Sequence, residues 1–174
     1  MKSIPLQFAL KFLIVFGVLV VGFESCRGTA FERFVVEDAI LAPTVHLINV
    51  MIPDDHANLV GRTIHAPGSP GLYVTRGCEG IELFLMLAAA LVAFPAGFRH
   101  RVRGLILGSL LAYVLGISRL VALHYTLHYR PGAWEALHGL ILPLGPIVLM
   151  ALFFLFWSGA RRPAEGRAPI RAAA

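Results

Sequence analysis

Four stretches of the chain are apolar almost without interruption, over about 6–23, 81–98, 104–125 and 139–157. Each holds close to the ~20 mainly apolar residues that a helix rising about 1.5 Å per residue needs to cross a hydrocarbon core. Pro95 falls near the end of the second run, and Pro143 and Pro146 lie inside the fourth. Kinks rather than breaks are expected there, because neighbouring helices in lipid satisfy the carbonyls that proline frees. The pattern predicts an all-α polytopic membrane protein of about four transmembrane helices in a single membrane-embedded domain over residues 1–157. The first run has no small-x-small cleavage pattern around Phe23–Cys26, so it is expected to persist as a signal anchor.

Between the first two runs the period changes. From Thr29 to about Ile52, Phe31, Phe34, Val35, Ala39, Leu41, Val45, Ile48 and Met51 recur mostly at helical spacing among Glu32, Arg33, Glu37 and Asp38. That predicts an extracytoplasmic amphipathic helix, broken or kinked near Pro43, that lies on the membrane surface or caps the bundle. Two β-prone runs, Leu59–His65 and Leu72–Arg76, flank the turn-rich Ala-Pro-Gly-Ser-Pro-Gly, which predicts a short β-hairpin just before the second span. Residues 158–174 are small and basic, and a disordered cytoplasmic tail is expected.

Composition agrees with the pattern: 57% hydrophobic and 14% charged residues in 174 exclude an ordinary soluble domain. The net charge of +5 does not imply nucleic acid, since the basic residues form no face interleaved with exposed aromatics. They mark topology instead. Lys2 and Lys11, then Arg99, Arg101 and Arg103, then Arg161, Arg162, Arg167 and Arg171 all fall on one side of four spans. Positive residues stay cytoplasmic, so both termini are expected inside. Residues 24–80 and the loop at 126–138 then face the periplasm from the inner membrane of a bacterium.

Three residues with chemistry fall at that outer level. Cys78 stands three residues before the second run, where the unpaired amides and positive end of a starting helix favour a thiolate. It is otherwise a small buried residue, or the partner of Cys26 in a disulfide. Arg119 stands about five residues inside the third run, where an arginine costs on the order of 3 kcal/mol unless it faces a polar partner or snorkels to the interface. His138 immediately precedes the fourth run. A nucleophile, a fixed cation and a proton carrier at one depth are the parts of an acyl-transfer site. Glu82, one turn beyond Cys78, is a supporting candidate that pairs with Arg119, orients the site or simply reaches water. His124 and His128, with His138, make a weak case for a metal-dependent hydrolase, because no glutamate lies between the pair as in H-E-x-x-H enzymes. No cofactor and no metal is expected.

Gly77-Cys78-Glu79-Gly80-Ile81, Gly116-Ile117-Ser118-Arg119-Leu120 and Ala136-Leu137-His138-Gly139 resemble the ordered motifs of the exosortase/archaeosortase family, most closely its short exosortase H type. The resemblance covers roughly residues 55–157. It implies a membrane cysteine transpeptidase, with Cys78 as nucleophile, Arg119 stabilising the tetrahedral intermediate and His138 as acid/base. The implied partners are exported proteins ending in a sorting motif, a transmembrane helix and a basic tail, together with membrane lipid. The new carboxyl end would pass to an acceptor, a lipid-linked one among the candidates. Glu79 and Ile117-Ser118 depart from the family's usual residues. The competing reading is a non-catalytic scaffold or transporter subunit with a Cys26–Cys78 disulfide.

Overall fold

A computed structural model describes residues 4–159. Lys2 and the basic tail from residue 160 onward lie outside the described residues. Five helical stretches and a small sheet make up the fold: α1 (Ile4–Ser25), α2 (Ala30–Met51), strands β1 (Asn58–Val60), β2 (Thr63–His65) and β3 (Leu72–Tyr73), then α3 (Ile81–Ala93), α4 (Phe98–Tyr129) and α5 (Pro131–Gly159). Four of the helices, α1, α2, α4 and α5, are long and apolar enough to cross a membrane by length and composition. This agrees with an all-α membrane protein carrying a minor β element.

The four long helices are not the four runs of the sequence pattern. The span expected over 81–98 is a helix of only 13 residues, about 20 Å long, that stops at Ala93. The cause is Pro95: the residue before a proline is pushed out of the helical region, and Phe94 is extended at φ −68°, ψ 136°. Arg101 ties down the connection after this break, donating to Phe94 O at 3.3 Å and Ala96 O at 3.1 Å.

Helix α2 supplies the fourth long apolar element, yet its contacts keep it from running the length of α4. Near its start Glu32 pairs with Arg62, which also holds Glu79 beside Gly116. Its middle meets α4 at Tyr113, and beyond its end Asp55 meets His124. It therefore covers only the C-terminal half of α4. The expected break near Pro43 is a widened turn instead: residues 34–41 are π-helical, and Ala42 N–H bonds to Glu37 O, five residues back. Pro43 has no N–H for Ala39 O, so that carbonyl is left over, and Tyr113 Oη–H donates to it at 2.9 Å. The same device precedes Pro143, where Leu142 N–H bonds to Leu137 O across a π turn over Leu137–Ile141.

The predicted hairpin is a three-stranded antiparallel meander in the order β1-β2-β3. The run Leu59–His65 is not one strand, because Gly61 at φ 57° reverses the chain and pairs Val60 with Thr63. Ile64, Leu72 and Val74 face inward against Val36, Leu41 and Ile48 of α2 and Leu120 and Leu123 of α4. At the other end of the bundle the Trp157 indole covers Gly104 and donates to His100 O at 3.3 Å. A Cβ on Gly104 would lie 2.4 Å from Trp157 Nε1. Gly104→Ala is therefore expected to cost about 1–3 kcal/mol by overpacking. Thermal unfolding in detergent measures it, and an unchanged midpoint would contradict this α4–α5 contact.

Candidate functional site

The loop after β3 delivers the cysteine through two glycines in left-handed conformations, Gly77 at φ 81° and Gly80 at φ 80°. Side chains rarely adopt that region, so the two glycines set the path of residues 75–80. Cys78 N–H bonds to Thr75 O at 3.1 Å, closing a turn that puts the sulfur in the protein interior with only 9% exposure. Gly80 packs its backbone against Gly116 of α4, and this close approach brings the turn within reach of Arg119.

Three groups face the Cys78 sulfur. Arg119 Nη2 is 3.9 Å away, His138 Nε2 is 4.0 Å away, and Thr75 Oγ1 donates at 3.5 Å. The structure brings Cys78, Arg119 and His138 to one sulfur, each from a separate segment: the 75–80 turn, α4 and the π turn of α5. Arg119 Nη1 also donates to Gly77 O at 3.0 Å, while its buried Nε has no partner. The expectation of an inward-facing arginine holds; Arg119 is 8% exposed.

No carboxylate neutralises Arg119 among the described residues, which makes the sulfur the natural site for the opposing charge. Taking an unpaired guanidinium out of water costs several kcal/mol, and an anion in contact recovers much of it. Arg119 Nη2 and Thr75 Oγ1 are the donors placed to meet an anion formed at the sulfur, with His138 Nε2 on its other side. The imidazole is itself fixed by Trp134, whose ring stacks on it at 4.8 Å and 9°. Trp134 and Thr75 were not singled out in the sequence. The i, i+4 spacing of Trp134 and His138 was the available signal for the first.

Of the roles expected for Glu82, reaching water fits its exposed position, and pairing with Arg119 does not occur. Cys78 lies in the turn and not in α3, yet the Glu82 carboxylate comes back over that turn: a Cβ on Gly77 would stand 3.2 Å from Glu82 Oε2. The carboxylate next to the cysteine in sequence, Glu79, is held by Arg62 at 2.9 Å while Arg62 also reaches Glu32 at 2.6 Å. Burial pushes the Glu79 carboxyl above the usual range, with Arg62 and Arg27 opposing it. This chain of charges ties the β1–β2 turn to α2 and to the residue next to the cysteine.

The disulfide is not formed, since Cys26 and Cys78 are both free thiols. The three histidines do not assemble either. His138 stands against the cysteine, whereas His124 Nε2 bonds to Asp55 Oδ2 at 2.8 Å and His128 lies 4.0 Å from Oδ1 of the same carboxylate. Among the described residues no group of three or more His, Cys, Asp or Glu side chains is placed to hold a metal ion. Comparison of the chain with protein-family models, with curated proteins and with solved structures returns no match.

Proposed function

We propose that the protein is an exosortase-like cysteine transpeptidase that cleaves C-terminal sorting signals of exported proteins at the outer face of the inner membrane. One observation carries the reading: an uncompensated guanidinium and an imidazole each lie within 4.0 Å of the same thiol sulfur. The ordered Cys78, Arg119 and His138 motifs support it as a resemblance. Depth supports it too. Arg101 and Arg119 are 18 positions apart on α4, about 27 Å at ~1.5 Å per residue, which is nearly one hydrocarbon thickness. With the basic residues at 99–103 in the first turns of α4 kept cytoplasmic, the thiol lies at the opposite interface.

The chemistry follows from the geometry. The Cys78 thiolate attacks the scissile carbonyl carbon, and the C–S bond forms as the carbonyl π electrons move to oxygen. Arg119 offsets that oxyanion charge, and its unpartnered Nε–H is a donor still free to serve it. The oxyanion collapses, the C–N bond breaks, and the imidazolium of His138 gives its proton to the departing amine. The resulting thioester is attacked by an acceptor amine or hydroxyl whose proton passes to His138, and the thiolate is released. Trp134 holds the imidazole in place through both transfers.

A small, negatively charged methanethiosulfonate reagent applied to intact spheroplasts tests the premise in a Cys26→Ala background. Cys78 is expected to react without prior reduction, and the modification is expected to stop processing of a co-expressed, tagged protein that ends in a sorting motif, an apolar helix and a basic tail. Processing that continues after complete modification removes Cys78 as the nucleophile.

A further inference from the structure

We propose that the protein carries a phospholipid site beside Cys78, with the lipid phosphate in an arginine-rich basin and an acyl chain in the apolar groove below it. The inference stands on the fold and does not depend on the catalytic reading.

The basin, about 600 Å³, is lined by Arg27, Arg33, Arg62 and Arg76 against a single Glu32. Arg27 pairs with Glu24, and Arg62 with Glu32 and Glu79. Arg33 and Arg76 have no ion-pair partner among the described residues, and both are exposed. Two unspent guanidinium groups on one concave surface suit a phosphate, whose oxygens accept their N–H groups bidentately. Thr75 lines the same basin and donates to the Cys78 sulfur, so an occupant there lies next to the thiol.

The groove, about 370 Å³, is bounded by Phe31, Val35 and Ala39 of α2, Phe84 of α3, and Ala112 and Gly116 of α4. Its walls are almost wholly apolar, and its size falls in the ~300–1,000 Å³ range of ligand clefts. Basin and groove share a border. Phe31 faces the groove while Glu32 and Arg33 face the basin, and Glu79 on the groove's rim is held by Arg62 of the basin.

Depth selects the occupant. Arg27 follows the end of α1 by two residues and Arg33 lies in the first turn of α2, so the basin sits where two long apolar helices meet water. Anionic headgroups lie at that level, and hydrocarbon begins just below. A ligand with a phosphate at one end and an alkyl chain at the other matches both compartments at once; a purely acidic peptide matches only the basin.

The test uses the full chain with Cys78→Ala in detergent, so that activity plays no part. Saturable binding is measured by native mass spectrometry for phosphatidylglycerol, for glycerol phosphate and for diacylglycerol. Phosphatidylglycerol is expected to bind at least tenfold tighter than either fragment. Arg33→Gln with Arg76→Gln is expected to weaken it at least tenfold, as is Val35→Trp, which fills the groove. Equal binding of glycerol phosphate means a free-phosphate site and overturns the proposal. So does unchanged lipid affinity in both variants, or displacement of the lipid by hexaglutamate at lower concentration. Should a variant fail to fold, the ranking of the three probes on the parent chain decides alone.

Discussion

Cys78→Ala is expected to abolish processing of a sorting-signal substrate, and Arg119→Gln to slow it by roughly 10²–10³-fold, the scale on which single oxyanion donors act. The two results are informative together. Glutamine can keep one hydrogen bond to Gly77 O, so the turn that carries the cysteine survives, but the charge facing the sulfur is gone. Arg119→Lys restores the charge without the fork that reaches Gly77 O and the sulfur at once, and is expected to recover only part of the rate. Processing is read as the ratio of cleaved to full-length tagged substrate on a gel. Full activity in Arg119→Gln would leave the arginine a structural role only. Trp134→Ala is expected to affect the proton step more than binding, because it releases the imidazole and leaves the sulfur in place.

The parts of this site were legible in the sequence because each broke a local expectation. An arginine within an apolar run needs a partner, and a cysteine and a histidine at the ends of neighbouring runs supply a common level at which to find one. Their convergence was therefore readable without coordinates. What the sequence hid is backbone detail. The 81–98 run reads as a span because hydropathy averages over Pro95, whereas the local backbone restriction at Phe94 ends the helix at Ala93. Helical spacing cannot be carried back from Glu82 to Cys78 across the left-handed Gly80; the carboxylate reaches the turn at Gly77 by another path. Gly61 split one apparent strand in two for the same kind of reason. The π turns before Pro43 and Pro143 leave no trace in periodicity, yet one of them aims His138.

The end of the bundle that carries the sheet rests on a buried carboxylate that no sequence pattern marked, and Asp55→Ala is expected to cost about 3–5 kcal/mol, the usual penalty for removing one partner from a buried, hydrogen-bonded pair. Asp55 is 3% exposed and accepts from His124 Nε2–H at 2.8 Å and from Tyr129 Oη–H. It closes a turn that is already costly, since the next residue, His56, adopts φ 41°. Asn49 braces that turn from α2 by bonding to both N–H and O of Ala57. Loss of the carboxylate releases the end of α2 from α4 and strands the buried ring of His124. The effect has a pH signature. Burial pushes the Asp55 carboxyl up, but the hydrogen bonds from Tyr129 and His124 outweigh it and hold the group below its ordinary value. A carboxyl depressed in the fold stabilises it at pH above the unfolded value, near ~3.9, and that contribution fades as pH falls toward the depressed folded value. Thermal midpoints in detergent for the parent chain and Asp55→Asn should therefore differ most near neutral pH and converge below about pH 4. Parallel curves across that range would mean that the ionised carboxylate contributes nothing to the fold, and that the geometry of the His124–Asp55–Tyr129 cluster is held by packing alone.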